Sequence, residues 1–117
     1  MARALINIRI GEKIEVKVIT LCGSLKFQKE MMKVAEKMAL KGYCILTPVY
    51  LVSEKMEKTE EQLIKLKKAH FKRIEFSDAI LVVNIDNYIG NSTNLEIEYA
   101  KKLKKEIIYY TDLIKNN

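Results

Sequence analysis

The stretch that decides the fold is residues 78–104, DAILVVNIDNYIGNSTNLEIEYAKKLK. Its apolar run predicts a buried strand over 79–85, then a polar loop containing Gly90, then a helix that opens at Ser92 or Thr93. A strand, a loop and a helix N-terminus in this order form a common ligand-binding corner of open α/β sheets. The first amides of the helix are unpaired there and face the crevice beyond the strand ends.

One carboxylate of this helix lies on its predicted inner face. At about 100° per residue, Glu96 falls on the side of Tyr99, Ala100 and Leu103, whereas Glu98 falls among the lysines on the opposite side. An ionised group on an inner face is costly unless it has partners. The pattern therefore makes Glu96 a candidate site residue and directs Glu98 to water.

A purely structural explanation of the same glutamate is also available. Thr93 to Glu96 fits the S/T-x-x-E capping box, in which the glutamate reaches back to the first amide while the threonine caps the third. Capping boxes are common and catalytic glutamates are rare. Both interpretations stay open on this stretch alone.

The overall composition predicts one globular domain over residues 1–117. The chain is 49% hydrophobic and 31% charged, which is typical of folded soluble domains. No apolar run approaches the ~20 residues that span a bilayer, and the N-terminus alternates instead of presenting the apolar core of a signal peptide. These features predict a cytoplasmic protein with no membrane partner.

The cysteines and the charge distribution limit which ligands and macromolecules the protein is expected to bind. Cys22 and Cys44 lie on separate predicted strands without metal-ligand spacing, so we expect reduced thiols, no metal and no cofactor. The net charge of +6 is spread over the outer faces of the helices and is not gathered into one run. This distribution argues against a nucleic-acid groove and favours a small phosphorylated molecule as the anionic partner.

The remaining periodicities predict alternating strands and helices. An N-terminal hairpin at 3–22, helices at 25–41 and from about 59, strands at 43–47 and 106–111, and a frayed tail at 112–117 are expected. Strands separated by helices run parallel with right-handed crossovers. The fold class is thus a three-layer α/β sandwich of Rossmann-like (flavodoxin-like) type, with a mostly parallel sheet of about four to five strands.

Two further places attract attention. The Gly23-Ser24 junction, after the strand ending at Cys22, points amides above the sheet and could cradle an anion, or could be a plain helix cap. In the loop 48–59, Tyr50 is the residue expected to reach the site.

The protein's single histidine lies on an apolar helical stripe. His70 is in phase with Leu63, Leu66 and Ile74. Histidines on such stripes are usually satisfied core residues, although imidazole is also the side chain best suited to proton transfer near neutrality. Both roles stay open for His70.

Taken together, these segments resemble a known family. Three groups of residues carry the resemblance: Cys22-Gly23-Ser24, Ser77-Asp78 before the strand ILVVN, and the run from Tyr88-Ile89-Gly90 through Ser92 to Glu96-Ile97-Glu98-Tyr99-Ala100. They look like the nucleoside 2-deoxyribosyltransferase family, which includes the related deoxynucleoside 5'-monophosphate N-glycosidases. The resemblance covers residues 16–110, nearly the whole domain.

The resemblance implies roles for individual residues. Glu96, four residues before the helix alanine, would be the nucleophile. Gly23, Ser24 and Ser92 would hold a 5'-phosphate. Further candidates are Cys22, Asp78 and Gly90 for substrate binding and Asp86, just after the predicted strand, for catalysis.

Two positions depart from the family pattern. Thr20 stands where the family commonly has a tyrosine near the nucleophile, and His70 stands where its N-glycosidases carry a proton-transferring aspartate. The resemblance predicts cleavage or transfer of an N-glycosidic bond through a covalent glycosyl-Glu96 intermediate, with His70 as the acid. The departures favour the alternative of a non-catalytic nucleotide-binding module.

A third interpretation, a structural or subunit-interaction domain, explains an exposed hairpin but not an inward Glu96. By the resemblance, and because an alternating N-terminal strand offers an unpaired edge, a homo-oligomer is expected.

Overall fold

The computed structural model describes residues 11–50 and 58–115. The elements, in chain order, are β1 Val18–Cys22, α1 Gln28–Leu40, β2 Cys44–Leu46, α2 Glu60–Phe76, β3 Ala79–Val82, α3 Asn91–Lys102, β4 Glu106–Tyr109 and α4 Tyr110–Lys115. Short 3-10 turns at Leu25–Phe27 and Ile85–Asn87 precede α1 and α3. The predicted strand at 3–10 lies outside the described residues.

All four described strands run parallel in one sheet, in the order β2-β1-β3-β4. In the register, Leu21 pairs with Leu81, and Leu81 pairs with Ile108. Parallel neighbours require a helical crossover, and the helices supply it between each pair of consecutive strands. The α/β sandwich with a parallel sheet is therefore confirmed.

The sheet separates two apolar layers, because successive side chains of a strand point to opposite faces. Leu21 and Leu81 pack with Met31 and Val34 of α1 on one face. The second face is formed by Cys22, Ile80 and Val82 with side chains of α2 and α3, namely Ile74, Ile97 and Ala100. Alternation in β1 thus directs Cys22 toward the helices that carry His70 and Glu96.

Several element boundaries differ from the sequence predictions. The strand predicted over 79–85 ends at Val82, and the chain turns through Asp86 and Asn87, whose φ angles are 53° and 61°. The predicted strand at 14–22 is paired only from Val18, and the strand at 43–47 only over Cys44–Leu46. Strand length here is decided by the available neighbour, which periodicity does not report.

The start of α3 is also earlier than predicted. Gly90 is the N-cap with extended backbone, and the helix runs from Asn91, not from Ser92 or Thr93. Thr93 consequently lies inside the helix and is buried. The Thr93–Glu96 capping box is therefore wrong, and capping no longer explains why Glu96 is on the inner side.

Two helix ends follow the sequence. Lys41 is the C-cap of α1, and Gly42 follows it with a φ of 102°, the left-handed conformation that glycine adopts without strain. Thr59 caps α2 in a complete capping box with Gln62.

The C-terminal tail is ordered further than predicted. Residues 110–115 form α4, whereas the sequence suggested a strand to 111 and a frayed end. The side chain of Asn84 donates to Thr111 Oγ1 at 3.0 Å and accepts from the Thr111 amide at 3.2 Å. These two bonds attach the start of α4 to the chain just after β3. Residues 116 and 117 lie outside the described part of the chain.

None of the described helices is both long enough and apolar enough to cross a membrane.

Candidate active site

A cavity of about 640 Å³ lies where β1 and β3 end. The β1–α1 junction contributes Gly23 and Ser24, and the start of α3 contributes Gly90, Ser92 and Thr93. Its other walls come from one side of α2 between Glu60 and Arg73, from Pro48 and Val49, and from Tyr88. The carboxyl edge of a parallel sheet is the usual ligand position in this architecture, so the cavity is the candidate site.

Glu96 borders this cavity from α3. Its side chain is 15% exposed. The oxygen Oε1 is fully buried and forms no hydrogen bond with any residue that the structure describes. Buried carboxylate oxygens nearly always have partners, so an unpaired one points to a missing ligand or a chemical role. The inward direction predicted for Glu96 is observed, and Glu98 is exposed and forms an ion pair with Lys101 at 3.7 Å.

His70 faces Glu96 across the gap between α2 and α3. Its Nε2 lies 3.4 Å from Glu96 Oε1 and 3.6 Å from the sulfur of Cys22. On the other side of the ring, Nη1 of Arg73 lies 3.4 Å from Nδ1. A guanidinium can only donate, so Nδ1 is the acceptor and the ring proton is on Nε2. His70 therefore presents an N–H group toward Glu96 and Cys22.

Cys22 is the third member of the buried group that contains Glu96 and His70. It has no exposed surface and lies at the end of β1. Burial raises the pKa of the Cys22 thiol well above its usual value, and the nearby charge of Glu96 raises it further. The thiol is thus protonated and does not act as a nucleophile.

Thr20 does not reach the cavity. Its hydroxyl is buried, lies 2.5 Å from Ser77 Oγ and donates to the carbonyl of Arg73 at 3.1 Å. These bonds connect β1 to the end of α2. The position that the family resemblance associates with a tyrosine has a structural role here.

The Gly23-Ser24 junction lines the cavity as predicted. A Cβ on Gly23 would approach the Val83 carbonyl oxygen to 3.2 Å and the Met31 sulfur to 3.3 Å, so a side chain fits only if these neighbours shift. Ser24 caps the following 3-10 turn through a 3.4 Å contact from the Lys26 amide. Across the cavity stand Gly90 and Ser92 at the beginning of α3.

Three predicted site residues are not brought to this cavity. Tyr50 packs against the apolar layer on the α1 side of the sheet, away from Glu96. Asp78 lies at the opposite edge of the sheet, where its Oδ2 accepts from the Val18 amide at 2.8 Å. Asp86 is exposed in the left-handed turn after β3 and does not line the cavity. In each case sequence proximity to a motif did not predict the side-chain direction.

Sequence reasoning missed three features of the cavity. Arg73 lines it and orients His70; its position three residues further along the same helix was the available signal. Leu63, predicted to face the core, is half exposed and forms an apolar wall. Tyr88 stands at the rim with Lys26 Nζ 3.5 Å from its ring centroid.

Comparison with solved structures finds the same fold in a known enzyme. A 2-desoxiribosyltransferase from Leishmania mexicana matches with a TM-score of 0.59 and 19% sequence identity, covering 80% of this chain and 63% of that chain. At this identity, the likeness establishes the fold. The chain thus spans only 63% of the length of that transferase. No protein-family model and no curated protein sequence matches the chain.

Proposed function

We propose that this protein cleaves or transfers the N-glycosidic bond of a 2'-deoxynucleoside or its 5'-monophosphate, with Glu96 as the nucleophile. The observation that carries the proposal is the buried Oε1 of Glu96, which forms no hydrogen bond within residues 11–50 and 58–115, at the edge of a cavity beyond the parallel strands. The shared fold with a 2-desoxiribosyltransferase supports the same chemistry.

In the first step, a carboxylate oxygen of Glu96 attacks C1' of the sugar while the bond from C1' to the base breaks. The departing base takes its proton from water, since the half-exposed walls formed by Leu63 and Tyr88 leave the cavity open to solvent. Water then releases the sugar in a hydrolase, and a second base accepts it in a transferase. The absence of a 2'-hydroxyl makes the cationic transition state easier to reach.

His70 acts in this proposal as a positioning residue, whereas the sequence suggested an acid. Because Arg73 donates to Nδ1, the ring carries its N–H on Nε2. The same N–H faces Glu96 Oε1 at 3.4 Å and can hold the carboxylate in one orientation as substrate arrives.

The amides and hydroxyls around the cavity are the proposed phosphate site. Gly23 and Ser24 lie on one side and Ser92 on the other, near the first amides of α3. A helix N-terminus favours a bound anion. The arrangement therefore suits a 5'-monophosphate. The expected homo-oligomer is a separate point and stays a prediction.

The direct test is incubation of the protein with a panel of deoxynucleosides, ribonucleosides and their 5'-monophosphates, followed by chromatography for free base. We expect release from at least one deoxy compound and little from its ribo counterpart. Measurable nucleotide binding without base release from any compound would contradict the enzyme and support a nucleotide-binding module on the same fold.

The role of His70 gives a separate prediction. His70→Leu should lower kcat by about 10²-fold, because an unheld carboxylate is misplaced for attack. His70→Gln keeps an N–H donor and should recover part of the loss. The exposed Lys68→Gln on the same helix is the matched control and should leave kcat unchanged.

Leaving-group dependence separates positioning from acid catalysis. When the substrate carries a cationic base, as in 7-methyl-2'-deoxyguanosine, the base departs without needing a proton. If His70 only positions Glu96, His70→Leu should lower kcat by the same factor on this substrate as on deoxyguanosine. If the loss in His70→Leu vanished for the cationic base, His70 would be the acid.

A further inference from the structure

Three side chains that each can bind a metal converge under the candidate cavity. The sulfur of Cys22, a ring nitrogen of His70 and a carboxylate oxygen of Glu96 all lie within 4.8 Å of one another. They come from three separate elements, β1, α2 and α3. Glycosyl transfer requires no metal, so the proposed function does not account for the thiol.

The distances suit a tetrahedral zinc-type ion. Usual zinc bond lengths to sulfur, nitrogen and oxygen at tetrahedral angles place the ligand atoms about 3.3–3.6 Å apart. His70 Nε2 lies 3.4 Å from Glu96 Oε1 and 3.6 Å from Cys22 Sγ. Two of the three distances between ligand atoms therefore already match those of a zinc site. Rotation of the flexible Glu96 side chain can adjust the third, between Glu96 Oε1 and Cys22 Sγ.

The state of Glu96 independently points to a missing cation. Oε1 is buried and forms no hydrogen bond with the described residues, although His70 Nε2 lies 3.4 Å away. A divalent cation at the centre of the three ligands would satisfy this oxygen. The remaining coordination position would face the cavity that Glu96 borders.

We propose that Cys22, His70 and Glu96 form a three-ligand binding site for a thiophilic divalent cation of the zinc class. On binding, the metal replaces the proton of the Cys22 thiol, which is released to solvent, and the His70 proton moves from Nε2 to Nδ1. Because the cation occupies the carboxylate proposed as nucleophile, metal binding switches base release off.

Arg73 limits the affinity of this site. Its Nη1 lies 3.4 Å from Nδ1, where a metal-bound histidine normally donates a hydrogen bond. Metal binding must therefore displace the guanidinium, which lines the cavity and has room to move. Arg73→Gln removes the positive charge and offers an acceptor to Nδ1, so this variant should bind the metal more tightly than the natural sequence.

The test uses the Cys44→Ser protein, titrated with Co²⁺ and then Zn²⁺ without added thiols. The chain has two cysteines, so Cys22 is the only thiol left in this variant. We expect a thiolate-to-cobalt charge-transfer band that saturates at one equivalent and disappears when Zn²⁺ displaces Co²⁺. Absence of this band, or of any stoichiometric binding, would overturn the proposal without requiring a Cys22 variant to fold.

Ligand variants in the Cys44→Ser background complete the test. Glu96→Gln and His70→Leu should each weaken Zn²⁺ binding by more than the roughly 10- to 100-fold typical of losing a ligand's hydrogen-bond partner. Glu98→Gln is the matched control on α3 and should bind as before. Unchanged affinity in both ligand variants would refute the site, while tighter binding in Arg73→Gln is a gain that unfolding cannot imitate.

Discussion

Glu96→Ala is expected to lower kcat for base release by about 10³-fold or more, because the proposed covalent route loses its nucleophile. The change should appear in kcat rather than in substrate affinity, since Gly23, Ser24 and Ser92, the residues proposed to bind the phosphate, still line the cavity. The measurement is single-turnover release of free base from the best substrate of the panel. Glu96→Gln, which keeps the side-chain volume, should show a similar loss.

The matched control is Glu98→Ala on the same helix. Glu98 is exposed, and its ion pair with Lys101 at 3.7 Å contributes little to stability. Glu98→Ala should therefore retain nearly full activity. Equal loss in the two alanine variants would mean that the helix, and not the carboxylate of Glu96, limits the reaction, and the assignment of the nucleophile would be withdrawn.

Leu81→Ala is expected to lower the free energy of unfolding by about 2–5 kcal/mol. Leu81 has no exposed surface and lies on β3, between β1 and β4, in the apolar layer shared with α1. Removing its side chain leaves a cavity between the sheet and α1, and the surrounding side chains cannot readily fill it. Urea denaturation followed by circular dichroism measures the loss, with an unchanged m-value as the sign of an intact cooperative unit.

Leu40→Ala provides the same chemical change at the surface. Leu40 is 83% exposed at the end of α1. Its replacement should change the free energy of unfolding by no more than about 0.5 kcal/mol. A comparable loss in both variants would indicate that Leu81 is less tightly packed than its burial implies.

The fold was predictable from local patterns because each pattern reflects local geometry. The apolar run after Asp78 gave a central strand, and Thr59 and Gly42 marked real helix ends. The start of α3 was predicted too late in the chain because Thr93 fits a capping motif, whereas the helix already begins after its N-cap at Gly90. A motif shows that a residue can cap, whereas the backbone entering the helix decides which residue does.

The candidate site was predictable only in part. Helical phase and the family resemblance both selected Glu96. The predicted residues Gly23, Ser24 and Ser92 line the same cavity. Asp78 and Asp86 were chosen by closeness to motifs in the chain and Tyr50 by its place in the loop 48–59, and the structure directs all three elsewhere. The direction of a loop side chain depends on packing against distant residues, which a local motif does not encode.

The sequence by itself determined the order of elements along the chain from β1 to β4, the parallel sheet and the inward side of Glu96, because periods of two and of about 3.6 residues follow from backbone geometry. Only the tertiary structure decided that Cys22, His70 and Glu96 meet. Cys22 and His70 are 48 residues apart in the chain, and their contact depends on how α2 and α3 pack against β1. Periodicity assigns a residue to a face, but only the packing of helices on the sheet sets the distances between faces.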